Sequence, residues 1–580
     1  MMTRLLAAFL VFLPFLAFTD DITGDPNFHY PPPATDNGEI LVDFQNEEPD
    51  EEIEGFLTGL GIKSGGYSWL SREENWLRIG SLFSSLRDRF RKNPDVEAIE
   101  PNYYFSAMYV PNDPYYKHQW HLDLIGMKEA WEYPRGSEVV VAVIDTGIAY
   151  EQFQNRYRVE DLSEAQFVKP YNFIRGNEHA NDDHGHGTHV AGTIAQLTNN
   201  GLGVAGVAPQ VKLMPLKVLN ASGYGTIADI AAAIRYAADN GAAVINMSLG
   251  GPFPSLILRK AIKYAKEKDV IIVCAAGNGG RSGLSYPAAY PECISVSAVR
   301  YDRSLSWYSS YGEGLTIAAP GGDMNVDQNG DGLMDGVLQN TLHPQDAAQQ
   351  GYFLFQGTSM AAPHVAGAAA LLVSQGIQDP EKVREILESS ASPVSGGSSE
   401  KYGAGILNVH AALKSAFTHR KFKILSLSIV LFLALLALIN RRRKDIEKVG
   451  MNTRSIFGLI LGATGFFFIA GWIPSSVSFF LTHSAIEWHP ILPVHSNEAS
   501  FLFWSALPAL AITLLCFPWK KTVPIAFGFA VGTAAFLLYQ VFSPAAGVTW
   551  IPGSFLESIW LLTNALLASG LAVIASFRLK

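Results

Sequence analysis

The chain has 580 residues, a formal net charge of −10 and an apolar content of 48%. That length exceeds what a single hydrophobic core supports, so several domains are expected. The mildly acidic balance gives no reason to expect nucleic acid as a partner, because proteins that bind nucleic acid carry basic surfaces.

The first 19 residues have the pattern of a secretory signal peptide. Arg4 supplies the positive charge and residues 5–18 supply an apolar stretch too short to cross a bilayer comfortably. The stretch does not end in a small-x-small cleavage site, so its retention as an anchor stays open. Residues 20–37 are rich in Pro, Asp and Asn and are expected to be a linker.

Residues 38–107 are expected to form a small α+β domain. Residues 39–44 alternate like a strand, residues 77–90 have helical spacing, and residues 95–102 supply a second strand and a turn. An unrelated α+β adaptor would show the same pattern.

Residues 135–415 alternate short β-rich apolar runs with alanine-rich helical segments. This alternation predicts an α/β domain, a parallel sheet with helices on both faces. Functional groups of such domains lie at the carboxyl edge of the sheet. The predicted strands are 139–144, 212–218, 243–247, 270–275, 294–299 and 315–318. The predicted helices are 188–196, 227–240, 255–268, 365–373 and 381–389.

Three polar residues stand where this pattern places strand ends and helix starts. Asp145 follows the apolar run 141–144, and His186 precedes a helix of small residues. Ser359 lies in the frame Gly-Thr-Ser-Met-Ala-Ala-Pro at 357–363, ahead of another such helix. A serine at a helix N-terminus can attack a carbonyl and help hold the resulting oxyanion through its own N–H. The remaining histidines of these segments are expected to be structural or surface residues, namely His184, His189 and His364.

Together these segments resemble the subtilisin-like serine proteases, or subtilases, over roughly residues 112–415. The chain order Asp, His, Ser is that of subtilisin itself. The resemblance implies that Asp145 orients the base, His186 is the general base and Ser359 is the nucleophile. Asn278, in the frame Ala-Ala-Gly-Asn-Gly, matches the side-chain donor of the oxyanion hole. The implied activity is a serine endopeptidase that cleaves polypeptides through an acyl-enzyme.

The resemblance also implies a substrate-binding wall built from Ser248, Leu249 and Gly250. Ser285 would lie near the floor of the pocket for the residue before the scissile bond. Both are small and uncharged, so large apolar or aromatic substrate side chains are expected there.

By the same resemblance, residues 38–107 are an inhibitory propeptide with a ferredoxin-like fold, and a partner of the peptidase domain. The sequence Pro-Asn-Asp-Pro-Tyr-Tyr at 111–116 is similar to the start of a mature enzyme. The boundary is therefore expected near residues 104–112, with a peptidase domain over 108–415 and removal of the propeptide by autocatalysis.

A structural calcium site is implied as well. Its side-chain and carbonyl oxygens would come from Asp113, Leu197, Asn200, Leu202 and Val204. The alternative is a plain Asn-Gly turn. The family usually draws another ligand from the loop after the first triad residue, which differs here, and Asp161 is the candidate replacement.

A second calcium candidate follows the EF-hand loop pattern over residues 327–335, with oxygen-bearing side chains at positions one, three, five and nine and glycine at six. Position twelve is Leu338 rather than glutamate, so any site is partial, and a polar insertion loop is the alternative. The candidate ligands are Asp327, Asn329, Asp331 and Asp335.

Residues 424–580 are expected to form a membrane region of about five transmembrane helices, because each apolar run is near the length that crosses a bilayer. The first run is the shortest and could be interfacial or re-entrant, and a buried soluble bundle is the alternative. The runs are 424–439, 456–481, 501–517, 523–542 and 555–577.

Basic residues mark alternate connections of this region. They lie at 441–444 after the first run, at 520–521 after the third, and at Arg578 and Lys580 after the fifth. The positive-inside rule then places these connections in the cytoplasm and the peptidase domain outside a multi-pass protein of the cell membrane. The basic residues at 420–423, ahead of the first run, conflict with this topology but are outnumbered.

The three cysteines are expected to be buried free thiols, although a Cys274–Cys293 disulfide stays open if their strands are neighbours. A different class of function is a membrane transporter or sensor with a subtilisin-like binding module. A transport pathway usually needs paired charges within the membrane, and the apolar runs contain few charges. A third hypothesis is an anchor that is cleaved off after export.

Overall fold

The computed structural model describes the chain over residues 36–44, 50–62, 67–71, 75–79, 87–90, 93–103, 110–133, 135–154, 158–442, 451–465, 505–542 and 554–579. The chain divides into two compact units, Met1–Ala107 and Met108–Lys580. The predicted signal peptide, most of the predicted linker, and the connections at 482–500 and 543–553 lie outside the described residues.

The N-terminal unit is an antiparallel sheet with helices between its strands. The sheet order is β2-β3-β1-β4, which is the βαββαβ arrangement of a ferredoxin-like fold. Its elements are β1 Asp36–Phe44, α1 Asp50–Gly59, β2 Tyr67–Ser71, β3 Trp76–Ile79, α2 Arg87–Phe90 and β4 Val96–Tyr103. Its core is formed by Val42, Phe44, Ile53, Leu57, Ile62, Leu77, Ile79 and Phe90.

The predicted helix over residues 77–90 is wrong in its first part. Leu77 and Ile79 belong to β3, which pairs with β1 on one side and β2 on the other. Their side chains are buried while those of Trp76 and Arg78 are exposed, which is the two-residue period of a strand. The segment forms a strand despite its helical spacing of apolar residues, because it pairs with a neighbouring strand on each side.

The second unit contains a parallel sheet of the order β12-β11-β10-β9-β5-β8-β6, with β7 also paired to β8. Every pairing in it is parallel. Its strands are β5 Val140–Asp145, β6 Gln166–Phe167, β7 Tyr171–Asn172, β8 Lys212–Lys217, β9 Val244–Met247, β10 Ile271–Ala275, β11 Ile294–Val299 and β12 Ile317–Pro320. The predicted α/β fold is confirmed, with the last strand two residues later than predicted.

Helices cover both faces of this sheet and bury two separate apolar clusters against it. They are α3 Trp120–Leu124, α4 Met127–Ala130, α5 His186–Ala195, α6 Ile227–Asp239, α7 Leu256–Lys266, α8 Thr358–Ser374, α9 Pro380–Ser390 and α10 Ser399–Tyr402. Two of them begin earlier than predicted, so that His186 and Ser359 lie in their first turns. Cys274 and Cys293 are buried and free, which leaves the disulfide unformed although β10 and β11 are neighbours.

A two-stranded hairpin, β13 Val337–His343 and β14 Asp346–Phe355, was not predicted. It covers α5. The carbonyl oxygen of Val337 accepts a hydrogen bond from His189 Nε2 at 2.9 Å. Thr341 Oγ1 donates to the carbonyl oxygen of Gly185. The hairpin therefore fixes the helix that begins at His186.

The chain ends in a bundle of apolar helices, α11 Val409–Arg442, α12 Thr453–Ala463, α13 Leu507–Cys516, α14 Val523–Phe542 and α15 Ser554–Ser576. Within the described ranges, α11, α14 and α15 are long and apolar enough to cross a membrane. α12 and α13 are shorter, and residues 466–504 between them lie outside the description.

Glycines bring α12 and α14 into close contact. A Cβ at Gly458 would overlap the carbonyl oxygen of Ile525, and one at Gly462 would overlap that of Phe529. From the first contact to the second, the residue number rises in both helices, so the two helices run parallel. Small residues that allow such close approach are typical of helix packing in membranes.

The other three helices run in the opposite direction. In α11, Ile424 packs with Leu537, and the Phe432 ring packs edge-on against Phe527 with the centroids 5.3 Å apart, so α11 is antiparallel to α14. In α15, Leu561 clusters with Leu537 and Ala575 with Phe527, which is again antiparallel. α13 is parallel to α15, since the Ala506 N–H donates to Asn564 at 2.9 Å and Arg578 reaches the Phe517 carbonyl.

We predict that Gly528→Ala destabilises the helical bundle by about 1–3 kcal/mol, because its Cβ would overlap the carbonyl oxygen of Ser455. Gly570→Ala is the matched control, since a Cβ there has no neighbour within 4 Å. Thermal unfolding in detergent measures both. Equal midpoints for the two variants would contradict the packing.

Candidate active site

Asp145 ends β5 with its carboxylate fully buried. Oδ1 accepts hydrogen bonds from the Thr146 N–H and from His186 Nδ1, both at 2.7 Å. A buried carboxylate is costly unless it is paired and hydrogen-bonded. The turn is tight, because a Cβ at Gly147 would overlap the backbone of residues 180–181. Asp145 is therefore held rigidly against the imidazole.

His186 opens α5 with its side chain one-fifth exposed, at the edge of a cleft. Burial disfavours the imidazolium, but the charge of Asp145 and its hydrogen bond outweigh burial, so the pKa of His186 is raised. Because Nδ1 donates to the carboxylate, Nε2 is the atom left to exchange a proton with a ligand.

Ser359 lies in the first turn of α8 and is partly buried. Its hydroxyl donates to the carbonyl oxygen of Ser248 at 3.1 Å. In return the Ser248 hydroxyl donates to the Ser359 carbonyl at 2.8 Å. Ser248 also lines the cleft beside His186. The structure thus brings Asp145, His186 and Ser359 to one edge of the sheet.

Asn278 follows β10, and its side chain is exposed beside the start of α8. Its Oδ1 accepts hydrogen bonds from the Thr358 N–H at 2.9 Å and the Thr358 hydroxyl at 2.8 Å. These bonds fix the orientation of the amide, so its NH₂ group is the end presented to a ligand next to Ser359.

The predicted wall and floor residues lie together. A Cβ at Gly250 would come within 3.0 Å of the Ser285 Cβ, and Ser285 also packs against Gly277. The Gly251 and Tyr286 main chains exchange two hydrogen bonds, of 2.8 and 2.9 Å. Ser248, Leu249, Gly250 and Ser285 therefore form one continuous surface.

A cleft of about 470 Å³ extends from His186 along this wall. Several apolar residues that line it were not predicted. They come from segments far apart in sequence, and no local pattern marks them. They are Leu219, Tyr224, Ile227, Ile230, Phe253 and Leu258.

Two charged residues that support the site were also missed. Asp182 Oδ2 accepts from the Thr188 N–H at 3.0 Å and its hydroxyl at 2.6 Å, within the first turn of the helix that carries His186. Lys217 is buried and donates to the Thr146 carbonyl and to Asp183, each at 2.6 Å. The Asp-Asp pair at 182–183 ahead of the histidine motif was the available signal.

The first calcium candidate contains a buried carboxylate pair, Asp113 and Asp161. Burial, together with the charge of Asp113, raises the pKa of Asp161 to about 7. Asp161 accepts from Asn200 Nδ2 and from the Val204 N–H, both at 2.9 Å, and Asp113 accepts from the Asn199 N–H at 2.7 Å. Neither carboxylate has an ion-pair partner among the described residues. Leu197 and Leu202 lie in the same loop as Asn200 and Val204. The candidate ligands of this site are all carboxylate, amide or carbonyl oxygens, which are the ligands that a hard cation such as calcium prefers.

The loop 327–335 folds around its own oxygens. Asp327 accepts from the N–H groups of Gly330 at 2.8 Å and Gly332 at 3.1 Å. The Asn329 side chain accepts from the Asp331 N–H at 3.0 Å, and Asp331 also pairs with His118 at 2.8 Å. In the part of the chain that the structure covers, no three acidic, histidine or cysteine side chains converge as ligands of one ion. Asp335 nevertheless buries one oxygen, Oδ1, without a hydrogen-bond partner.

Three buried histidines, His121, His189 and His364, lie behind the site and confirm the structural role predicted for two of them. His364 Nδ1 donates to the Met360 carbonyl at 2.8 Å, so its Nε2 accepts from His121 Nδ1 at 2.8 Å. Burial lowers the pKa of His189 to about 3 and that of His364 to about 4, and it holds the pKa of His121 well below its usual range. All three are therefore neutral in the folded protein near pH 7.

The chain is similar to known proteins over this region. Residues 136–405 match the sequence model of the Subtilase family. The chain is 38% identical over 371 residues to the thermophilic serine proteinase of Bacillus sp. (strain AK1), covering 63% of this chain and 85% of that protein. It is 40% identical over 283 residues to subtilisin DY of Bacillus licheniformis, with coverages of 48% and 92%. For thermitase of Thermoactinomyces vulgaris the identity is 35% over 307 residues, with coverages of 53% and 100%.

We predict that the protein loses stability as the pH falls below about 6.5. The folded-state pKa values of His189 and His364 are lowered, so the stability that each histidine contributes is fully present above its unfolded-state pKa. It is lost as the pH falls toward 4 for His364 and toward 3 for His189. Each histidine adds a slope of at most about 1.4 kcal/mol per pH unit. The other titratable groups that face these two histidines are His121 and His186.

The measurement is the thermal midpoint against pH in a Ser359→Ala background, which suppresses autolysis. His364→Gln should reduce the slope by one titrating group, whereas His179→Gln, at a side chain 41% exposed, should leave it unchanged. An unaltered slope in His364→Gln would show that this histidine does not carry the acid sensitivity.

Proposed function

Because the chain belongs to the subtilase family and is a subtilisin-like serine protease, we propose that it is an exported, membrane-anchored endopeptidase that uses Asp145, His186 and Ser359 as its catalytic triad. The observation that carries the proposal is the 2.7 Å hydrogen bond between His186 Nδ1 and the buried Asp145 carboxylate, beside a serine in the first turn of a helix.

In the acylation step, Ser359 Oγ turns from the Ser248 carbonyl toward His186 Nε2 and attacks the scissile carbonyl. His186 takes the hydroxyl proton and then gives it to the leaving amine. Asp145 holds the imidazole in the correct tautomer and stabilises the imidazolium. The acyl-enzyme is hydrolysed by a water molecule that the same histidine deprotonates.

The negative charge that develops on the substrate oxygen is held by the Asn278 amide and the Ser359 N–H. Thr358 supports this role, because it fixes the oxygen end of the amide and leaves the nitrogen end to donate. Loss of such a donor typically costs about two to three orders of magnitude in kcat, a range known from subtilisin itself. The uncharged wall Ser248–Gly250 and Ser285 favour large apolar or aromatic side chains before the scissile bond.

We further propose that residues 38–107 are an inhibitory propeptide that the enzyme removes itself, and that residues 1–19 direct export. The ferredoxin-like strand order of the N-terminal unit supports the first role. The charge and length of the N-terminal apolar stretch support the second.

We predict that Ser359→Ala abolishes hydrolysis and labelling by a fluorophosphonate probe, since only an activated serine reacts with it. The same variant should retain the N-terminal unit, which sequencing of the mature N-terminus detects. Ser374→Ala, at a buried serine in the last turn of the same helix, is the control and should be processed normally. Normal processing of Ser359→Ala would assign the cleavage to another protease.

Calcium is proposed as a structural cofactor, with no part in the chemical steps. At the first site it would be held by Asp113, Asp161, Asn200 and the carbonyl oxygens of the loop 197–204, where it would neutralise the buried carboxylates. At the loop 327–335 the supporting observation is the unpartnered oxygen of Asp335.

We predict that chelation lowers the thermal midpoint, because a ligand that binds only the folded state contributes about 2.7 kcal/mol at 100 times its Kd. Asp161→Asn should remove the response at the first site and Asp335→Asn that at the second. Asp239→Asn, on an exposed carboxylate, is the control. A melting curve that chelator leaves unchanged would count against both sites.

The membrane region is proposed to cross the bilayer five times, with the peptidase domain outside and the C-terminus in the cytoplasm. Helix direction supports this topology independently of charge. α12 and α14 are parallel, and α11, α13 and α15 oppose them, which is the alternation that five spans in chain order require.

We predict that a reporter enzyme that works only in the cytoplasm is active when it is fused after Lys580. A cysteine introduced at Asn497 should react with an impermeant reagent added from outside. Charge and helix direction both support opposite sides of the bilayer for these two positions. A cysteine at Arg454 is the control for the cytoplasmic side. The opposite labelling pattern would overturn the five-span topology.

A further inference from the structure

The last helix of the peptidase fold and the first candidate span are one helix. α11 runs without interruption over 34 residues, Val409–Arg442. Its beginning belongs to the core of the α/β domain, through Ala412, Leu413 and Ala416. Its later part packs among the C-terminal helices, through Ile424 and Phe432. No linker separates the two parts.

Side chains brace the helix at the point where it leaves the peptidase domain. The Phe417 ring packs edge-on against Tyr133 of that domain, with the centroids 5.7 Å apart. Lys421 Nζ lies 4.8 Å from the centre of the Phe417 ring and donates to the Thr464 carbonyl at 3.4 Å. Lys421 is only 1% exposed, and it links Phe417, which packs on the peptidase domain, to Thr464 at the end of α12.

The joint lacks the residues at which helices usually kink. Helix kinks usually occur at proline or glycine, and residues 409–423 contain neither. The helix therefore transmits the orientation of the span to the peptidase domain.

The joint is also short. Eight positions along the helix lead from Ala416, the last residue buried in the peptidase core, to Ile424, the first apolar residue buried among the C-terminal helices. At about 1.5 Å per residue they span about 12 Å. A headgroup layer is about 5–8 Å thick, so the peptidase core meets the bilayer surface without a spacer. Phe422 and Lys423 are exposed at this level, as expected for side chains among lipid headgroups.

We propose that this helix holds the catalytic cleft at one distance and orientation from the outer leaflet, and that the substrates are polypeptide segments that membrane-anchored chains present at that height. The inference rests on the membrane anchoring proposed above and adds a substrate class to it. A rigid tether concentrates the cleft at one height, whereas a flexible tether would spread it over many.

The test uses the full-length enzyme in liposomes. One cleavable peptide is placed in single-span reporters at about 5, 15 and 40 residues from the bilayer on a flexible linker, whose root-mean-square end-to-end distances are about 12, 21 and 35 Å. The wild type should cleave the best of these reporters about tenfold or more faster than the worst. The same peptide free in solution measures the activity of the cleft itself.

Two insertions between Thr418 and His419 change the joint without touching the active site. A helical insertion of about seven residues should move the preferred reporter about 10 Å farther out. A glycine-serine insertion of the same length should reduce the discrimination to about threefold or less. All three enzymes should cleave the free peptide at equal rates, which also reports that each variant is folded.

Equal cleavage of every reporter by the wild type, with normal activity on the free peptide, would overturn the inference even if both insertions failed to fold. A glycine-serine variant with the wild-type preference would overturn it as well. Recovery of the wild type in the soluble fraction after alkaline extraction would instead contradict the membrane anchoring, so the two failures are distinguishable.

Discussion

The site depends on the burial of one charge, the Asp145 carboxylate. It is fully buried, and the bonds to one of its oxygens come from the Thr146 N–H and His186. Such a group is tolerated only where its donors are fixed, and the surrounding backbone is built to fix them. The Thr146 hydroxyl accepts from the Gly187 N–H at 2.9 Å. A Cβ at Gly187 would overlap the Gly147 carbonyl, so the strand end and the helix start can approach this closely only through glycine.

Much of the α/β domain was predictable because its strands are buried on both faces and its helices carry regular apolar spacing. The strand over residues 294–299 was predicted to the residue, since a run of β-branched and small residues needs no tertiary information. The hairpin β13–β14 was not predicted. Its first strand buries Gln339, Asn340 and Thr341, and polar residues become interior there only because α5 lies beneath them.

The candidate site divides in the same way. Asp145, His186, Asn278 and Ser359 stand in short local frames, so sequence was enough to select them as candidates, and the structure adds the hydrogen bonds that each one makes. Tyr224 reaches the cleft from a loop that has no local mark, and only the folded chain brings it beside His186. In the C-terminal bundle the basic residues predicted the sides of the connections, whereas the relative directions of the helices followed from contacts between them, such as those of Gly458 and Gly462 with the backbone of α14.

The insertion between β12 and α8 contacts both of the helices that carry His186 and Ser359. Its first residue, Gly321, accepts a hydrogen bond at 3.0 Å through its carbonyl oxygen from the N–H of its last residue, Gly357, which lies two residues before Ser359. Within the insertion, the first strand of the hairpin forms hydrogen bonds with His189 and with Gly185, at the start of the helix that carries His186. The acidic loop 327–335 lies between these two attachments. The cation proposed for this loop would restrain both attachments at once, and through them the residues proposed as nucleophile and base. Its effect on the site would then be exerted through the backbone, without any ligand reaching the substrate.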